Sequence, residues 1–190
     1  MSQSYRVRVK QSLTQTIQNE LKSKRKINML PLLPLDQMGK LLGDRLLEKG
    51  WTQATDSVNT VMDGFDLRFN PNTQTLDIVL ICEEEVSREI DGEIEIYDDG
   101  YNEERARNAA PAVAKHTLVN QIQEYRQKKQ MELQARWKED MPQVHQKIEI
   151  LLEEALLSTH QEALRQKASG MGEIVSETDD NGDLVIRVKV

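Results

Sequence analysis

The stretch from Asp77 to Gly100 reads DIVLICEEEVSREIDGEIEIYDDG, and it changes abruptly from aliphatic residues to carboxylates. Apolar residues alternate with others on both sides of the turn sequence NPNT: Phe65, Leu67 and Phe69 before it, and Leu76, Ile78, Leu80 and Cys82 after it. A period of two is typical of strands, so this region is predicted to form a hairpin. Because Val79 and Ile81 are also apolar, the second strand is predicted to be central and buried on both faces.

The acidic half of the stretch is predicted to form outer strands. A turn at Asp91-Gly92 is expected to join EEEVSREI to EIEIYD. The apolar residues of both segments would then line one face: Val86, Ile90, Ile94 and Ile96. The alternating carboxylates would face solvent, where charge at a sheet edge also suppresses aggregation.

A metal-dependent or hydrolytic site is an alternative interpretation of the carboxylates, with Glu84, Asp91 and Asp98 as candidates. Acid and base roles need two carboxyl groups in different environments that converge on a pocket, and the sequence gives no sign of that contrast. Phosphate-loop, nucleophile-elbow and zinc-ligand patterns do not occur in the sequence. We therefore expect no catalytic residue, no metal, no cofactor and no enzymatic activity.

The amino-terminal part is predicted to contain a strand, a short helix and a core helix. YRVRVK alternates apolar and basic residues as a half-buried strand does. In SLTQTIQNELKSKRK, a spacing of four between Leu13, Ile17 and Leu21 suggests a short helix after it. Two prolines make MLPLLPL a stiff connector, and a broad leucine stripe predicts a core helix from about Leu35 to Lys49.

Residues 101–169 are predicted to be a helical insertion or arm. Pro111 and Pro142 are expected to divide it into three helices. The middle helix is highly polar and has only a narrow apolar seam, which is typical of a helix that contacts another helix. Leu133, Trp137 and Met141 are therefore the predicted anchors for a protein partner, together with the carboxylates Glu83, Glu84 and Glu85.

The carboxy-terminal residues GEIVSETDDNGDLVIRVKV are predicted to form a hairpin around Asn181-Gly182. Its apolar face cannot be buried by the hairpin alone, so we expect it to return to the sheet. The predicted fold is α+β, with an antiparallel or mixed sheet. One domain is expected, made of a sheet region (1–100), the helical insertion (101–169) and the hairpin that completes the sheet (170–190).

Charge is segregated along the chain. Residues 1–50 carry ten basic and four acidic groups, whereas residues 51–100 carry two basic and thirteen acidic groups. In the simplest interpretation these regions attract each other. Alternatively, a nucleic acid binds the basic residues: Arg6, Arg8, Lys22, Lys24, Arg25 and Lys26. Stacking aromatics are missing beside that cluster, so this is the second hypothesis.

No apolar stretch reaches the roughly 18 residues of a membrane span or resembles a signal peptide, and the one cysteine, Cys82, can form no intrachain disulfide. We therefore expect a cytoplasmic protein without membrane contact. The first functional hypothesis is a non-catalytic adaptor or scaffold subunit, which binds a protein partner or forms a homo-oligomer.

Overall fold

The computed structural model describes residues 3–98, 103–180 and 183–189. In chain order the elements are β1 (Gln3–Lys26), α1 (Leu35–Glu48), β2 (Thr52–Gln53), β3 (Val58–Met62), β4 (Phe65–Asn70), β5 (Thr75–Asp98), α2 (Glu103–Ser169), β6 (Glu173–Asp180) and β7 (Asp183–Lys189). Five strands form an antiparallel sheet in the order β1-β5-β4-β3-β2, and β6 and β7 form a second sheet. The predicted α+β class is confirmed.

The short helix predicted within β1 is wrong, because β1 is one strand of 24 residues. Leu13, Ile17 and Leu21 are four positions apart, and four is also twice the period of a strand, so they share one strand face. On the other face Thr14, Thr16, Gln18 and Glu20 are exposed, whereas Ile17 and the polar Asn19 are buried. A four-residue spacing alone therefore could not distinguish the two structures.

The turn predicted at Asp91-Gly92 is also wrong, because β5 continues through this dipeptide to Asp98. Gly92 keeps the strand alternation, and its φ is not positive, so no tight turn forms there. The four apolar residues predicted to share a face do lie on one face. Val79 is buried and Ile81 half-buried, which confirms burial of this part of β5 on both faces.

Helix α2 is continuous over 67 residues, so the prediction of three helices is wrong. Pro111 and Pro142 both lie at exposed positions of the helix. A proline removes one backbone donor, and on the exposed side the unpaired carbonyl can bind water, so the helix can continue. None of the described helices is long and apolar enough to cross a membrane.

The chain divides into two compact units that share β1, β5 and α2. Unit 1 comprises Met1–Glu20 and Ile81–Ala135. In unit 1, α2 packs on the inward face of β1 and β5, where small alanines allow the helix to approach the strands closely. One core cluster contains Val9, Ile96, Ala106, Ala110 and Ala114, and a second contains Ile17, Val86 and Ile122.

Unit 2 comprises Leu21–Leu80 and Arg136–Val190. Helix α1 contacts β3 and β4, as the leucine stripe predicted, and it begins and ends within one residue of the predicted bounds. Beside it on the same face, α2 is joined to α1 by the ion pairs Arg45–Glu162 and Lys49–Glu154. The fully buried side chains of the sheet include Phe65, Leu67, Phe69, Leu76 and Ile78.

The carboxy-terminal hairpin does not complete the five-stranded sheet within the described residues. Strands β6 and β7 pair with each other, with an irregularity between Ile174 and Ser176. Their half-buried residues instead face the end of α2, because Leu164 and Ala168 supply the apolar surface that the hairpin needs. The dipeptide Asn181-Gly182 lies outside the described residues.

Candidate functional site

The face of unit 1 opposite α2 carries a ladder of charged side chains. Arg8 lies 3.7 Å from Asp91, and Lys10 lies 3.5 Å from Glu89 and 3.7 Å from Asp91. Residue numbers increase along β1 while the residue numbers of the contacted side chains on β5 decrease, as expected for two antiparallel strands. The predicted attraction between the basic and acidic regions is therefore confirmed for these residues.

The three consecutive glutamates do not share one surface. Glu83 and Glu85 are exposed on the outward face, whereas Glu84 faces α2. There the Tyr125 hydroxyl donates a hydrogen bond of 2.9 Å to Glu84, and Lys129 lies 3.5 Å from it. Glu84 therefore joins strand to helix, which leaves Glu83 and Glu85 as the partner-binding candidates of this set.

Lys129 completes this contact between strand and helix. Its pKa is raised well above the ordinary value, first by a hydrogen bond to Glu132 and then by one to Tyr125. Lys129 and Arg88 also lie near the Tyr125 ring, 5.5 Å and 5.0 Å from its centroid. Lys129 belongs to the polar segment QKKQ (residues 127–130) of α2, so this polar segment has a role in packing.

The basic residues proposed for nucleic acid do not form one surface in unit 2. Lys22 and Lys24 are exposed on the outward face and lie 3.0 Å and 4.0 Å from Asp77. Arg25 is on the opposite face, where it forms two hydrogen bonds to the carboxylate of Glu149. This pairing raises the pKa of Arg25 and lowers that of Glu149, mainly through hydrogen bonding.

Other members of that basic set are similarly distributed. In unit 1, Arg6 and Arg8 are exposed on the outward face, and Arg8 is engaged by Asp91. In unit 2, Lys26 is exposed beyond Lys24. Several of these cations thus neutralise carboxylates of their own chain, which weakens the nucleic-acid hypothesis because each phosphate contact would have to replace an internal pair.

The carboxylates considered for a metal or hydrolytic site do not converge. Glu84 faces α2, while Asp91 is on the outward face with Arg8 and Lys10. The side chain of Asp98 lies outside the described residues. Across the part of the chain that the structure describes, no group of three or more histidine, cysteine, aspartate or glutamate side chains could hold a metal ion.

The residues predicted as helical anchors are largely enclosed by the protein's own packing. Leu133 is 6% exposed and Met141 is 8% exposed, while Trp137 is half-buried against Phe65. The sequence predicts that the narrow apolar seam of this part of α2 contacts a partner helix. In the structure this seam packs inside the protein, so these residues do not form an exposed docking surface.

Sequence analysis did not identify the apolar groove between the end of α2 and the hairpin. The groove has a volume of about 540 Å³ and is lined by Leu164, Lys167, Ala168, Met171, Leu184, Val185, Ile186 and Val188. Met171 and Val185 are 60% and 56% exposed. The alternation of apolar and other residues in β7 indicates an apolar strand face, but from the sequence this face is expected to pack on the main sheet.

Comparison with protein families gave one match that covers the whole chain. The family is described as FtsH ternary system domain X5, and its model matches residues 1–190. No curated protein and no solved structure matched the chain.

Proposed function

Because the chain belongs to the FtsH ternary system domain X5 family, we propose that it is a non-catalytic adaptor or scaffold subunit of that system. Membership makes the chain a component of a multi-protein system. The adaptor role is our inference from the surfaces of the structure. We place its docking surface on the outward face of unit 1, around Glu83 and Glu85.

The observation that carries this proposal is the one-sided covering of the sheet in unit 1. Helix α2 packs on the inward face, whereas Glu83 and Glu85 are exposed on the opposite face. No ion pair among the described residues involves either carboxylate. Unlike Glu89 and Asp91, they are thus available to attract a basic surface of another subunit.

The proposal is tested by measuring binding to other components of the ternary system, each produced separately and immobilised. We expect the chain to bind at least one of them. Replacing both carboxylates, Glu83→Lys with Glu85→Lys, should lower the association rate constant by about tenfold at low salt, because steering charges act mainly on association. Raising the salt concentration should reduce the difference between variant and parent.

Glu153→Lys is the matched control, because Glu153 is also exposed but lies on α2 within unit 2. The double change and the control must both retain the circular-dichroism spectrum and melting temperature of the parent. Failure of the parent to bind any of these components would overturn the adaptor proposal. Equal loss of binding in the control would contradict the placement of the docking surface around Glu83 and Glu85.

A further inference from the structure

One edge of β5 is open in unit 1. Strand β4 pairs with β5 only over Thr75–Val79, and β1 pairs with the other edge of β5. Beyond that segment, no other described strand pairs with β5. An unpaired edge presents a row of backbone donors and acceptors that can hold an added strand.

Strand β7 is open on one edge as well. Among the described residues it pairs only with β6. Its side chains alternate, with Ile186 and Val188 half-buried toward α2 and Arg187 and Lys189 exposed on the other face. An added strand would therefore have to be apolar on one face and acidic on the other.

The existing partner of β7 shows what this strand accepts. In β6 the sequence Gly172-Glu173-Ile174 places Glu173 opposite Lys189 and Ile174 opposite Val188. The backbone approaches Gly172 closely, since a Cβ there would lie 2.3 Å from the carbonyl oxygen of Lys189. The tripeptide thus combines an acidic residue, an apolar residue and a glycine that permits close contact.

The same tripeptide occurs on the open edge of β5, as Gly92-Glu93-Ile94. It is followed by Glu95 and Ile96, so acidic and apolar residues continue to alternate. Glu93 and Glu95 are exposed, and no ion pair among the described residues involves them. Ile96 is 9% exposed and packs with the alanines of α2, which places the apolar face of this segment on the helix side.

We infer that β7 of one copy of the chain adds antiparallel to the open edge of β5 in a second copy. One register pairs opposite charges on one face of the joint sheet and apolar residues on the other face. It places Lys189 opposite Glu93 and Arg187 opposite Glu95 on the charged face. On the helix side it places Val188 opposite Ile94 and Ile186 opposite Ile96.

The helices are compatible with this joint sheet. Two strands span about 10 Å, which is close to the 8–10 Å that separates packed helices. The end of α2 that covers β6 and β7 in one copy would therefore lie beside the start of α2 that covers β1 and β5 in the other. Backbone hydrogen bonds supply the general attraction, and the opposed charges select the register.

This contact joins two different surfaces, so a pair of copies keeps one free donor strand and one free acceptor edge. Such an interface closes into a ring or extends as an open chain of copies. The mean mass of the assembly should therefore increase with protein concentration. High salt should reduce the assembly, because the exposed charge pairs are screened.

Charge exchange at one position of the register tests the inference. Glu95→Lys and Arg187→Glu each put like charges opposite each other, whereas an equimolar mixture offers opposite charges at every junction. In the hairpin Arg187 faces Ser176, so Arg187→Glu creates no like-charge pair with β6. Sedimentation velocity at low salt is the measurement, and Glu153→Lys is the control because it reverses a similarly exposed charge on α2, outside the register.

We expect the parent and Glu153→Lys to associate with the same concentration dependence. Each of the two register variants alone should need about tenfold more protein to associate, and their mixture should recover the parent's behaviour. Backbone amides of residues 92–96 should become protected from hydrogen exchange on association. A parent that stays monomeric at every concentration, or a mixture that associates no better than either variant, would overturn the inference.

The outcome is independent of the adaptor proposal, because no other protein is present. Loss of self-association with retained binding to another component would reject only the present inference. The reverse result would reject only the adaptor role.

Discussion

The ring of Trp137 lies against the ring of Phe65, with centroids 5.6 Å apart and planes inclined by 52°. Tilted aromatic pairs of this kind stabilise a fold beyond the area they bury. The contact joins α2 to β4 within unit 2. Trp137 is therefore better explained as a core residue than as an anchor for a partner.

Trp137→Ala should lower the free energy of unfolding by about 2–4 kcal/mol, because it removes the ring contact and leaves space beside Phe65. Denaturant titration followed by circular dichroism measures the change. Met131→Ala is the control, since Met131 is on the same helix and 68% exposed, and it should change stability by less than about 0.5 kcal/mol. Similar losses in both variants would contradict the core role of Trp137.

Gly39→Ala should be strongly destabilising, by about 2–4 kcal/mol, because there is no room for a side chain where α1 meets the loop after β4. A Cβ at Gly39 would lie 1.9 Å from the carbonyl oxygen of Pro71. Thermal and denaturant unfolding of the purified variant measure the loss.

Gly43→Ala is the matched control on the same helix. A Cβ there would lie 3.4 Å from Pro71 and 3.5 Å from Val58, which are ordinary contact distances to side-chain atoms. Stability should be unchanged or should increase by up to about 1 kcal/mol, since alanine favours helix more than glycine does. If both alanine variants were equally stable, the close contact at Gly39 would be disproved.

Stability should fall when the pH is lowered through the range just below 6.5. The ring of His160 accepts a hydrogen bond of 3.2 Å from the backbone N–H of Leu30, and burial lowers its pKa from the ordinary 6.5. The unfolded chain therefore binds the proton more readily than the folded chain. The contribution of neutral His160 is complete above pH 6.5 and is lost as the pH falls toward the lower pKa of the folded state.

His160→Gln keeps a hydrogen-bond acceptor but does not titrate, so it should reduce the loss of stability between pH 7.5 and pH 5.5. Urea titrations at the two pH values measure this difference. His116→Gln, an exposed substitution on α2, should retain the parent's difference. A parent whose stability does not change over this interval would rule out the linkage.

The pair between Arg25 and Glu149 should show a coupling of about 0.5–1 kcal/mol, since both side chains are partly exposed and solvent screens them. A double-mutant cycle with Arg25→Gln and Glu149→Gln measures it. The pKa of Glu149 is lowered from 4.5 in the folded state, so the coupling is present above pH 4.5 and is lost as the pH falls through that lowered value. Equal coupling at pH 7 and at pH 2 would contradict the assignment.

The sequence correctly predicted the elements in which the spacing of apolar residues fits either a helix or a strand, but not both. The leucine stripe of α1 and the alternation around NPNT identified helix and hairpin correctly. In β1, the spacing of Leu13, Ile17 and Leu21 fits both a strand and a helix, and only the pairing with β5 decides between them. In α2, Pro111 and Pro142 were expected to break the helix, but a proline on the solvent side can be accommodated.

The surfaces were less predictable than the elements, because exposure depends on tertiary packing. Leu133 and Met141 have the same sequence pattern whether they pack inside the protein or against a partner. The roles of Glu83 and Glu84 differ because consecutive strand residues face opposite sides, so the three glutamates could not form one acidic surface. The open edges of β5 and β7 follow from strand order, which composition and periodicity do not determine.

Both units draw on three elements that they share: β1, β5 and α2. Each unit is therefore assembled from segments distant in the chain, and a cut anywhere between Leu21 and Ala135 leaves both without part of their structure. We expect neither half to be an independently folding fragment and thermal melting to occur in one cooperative step. During synthesis, moreover, β1 must wait for residues beyond 100 before either of its faces is covered by a helix.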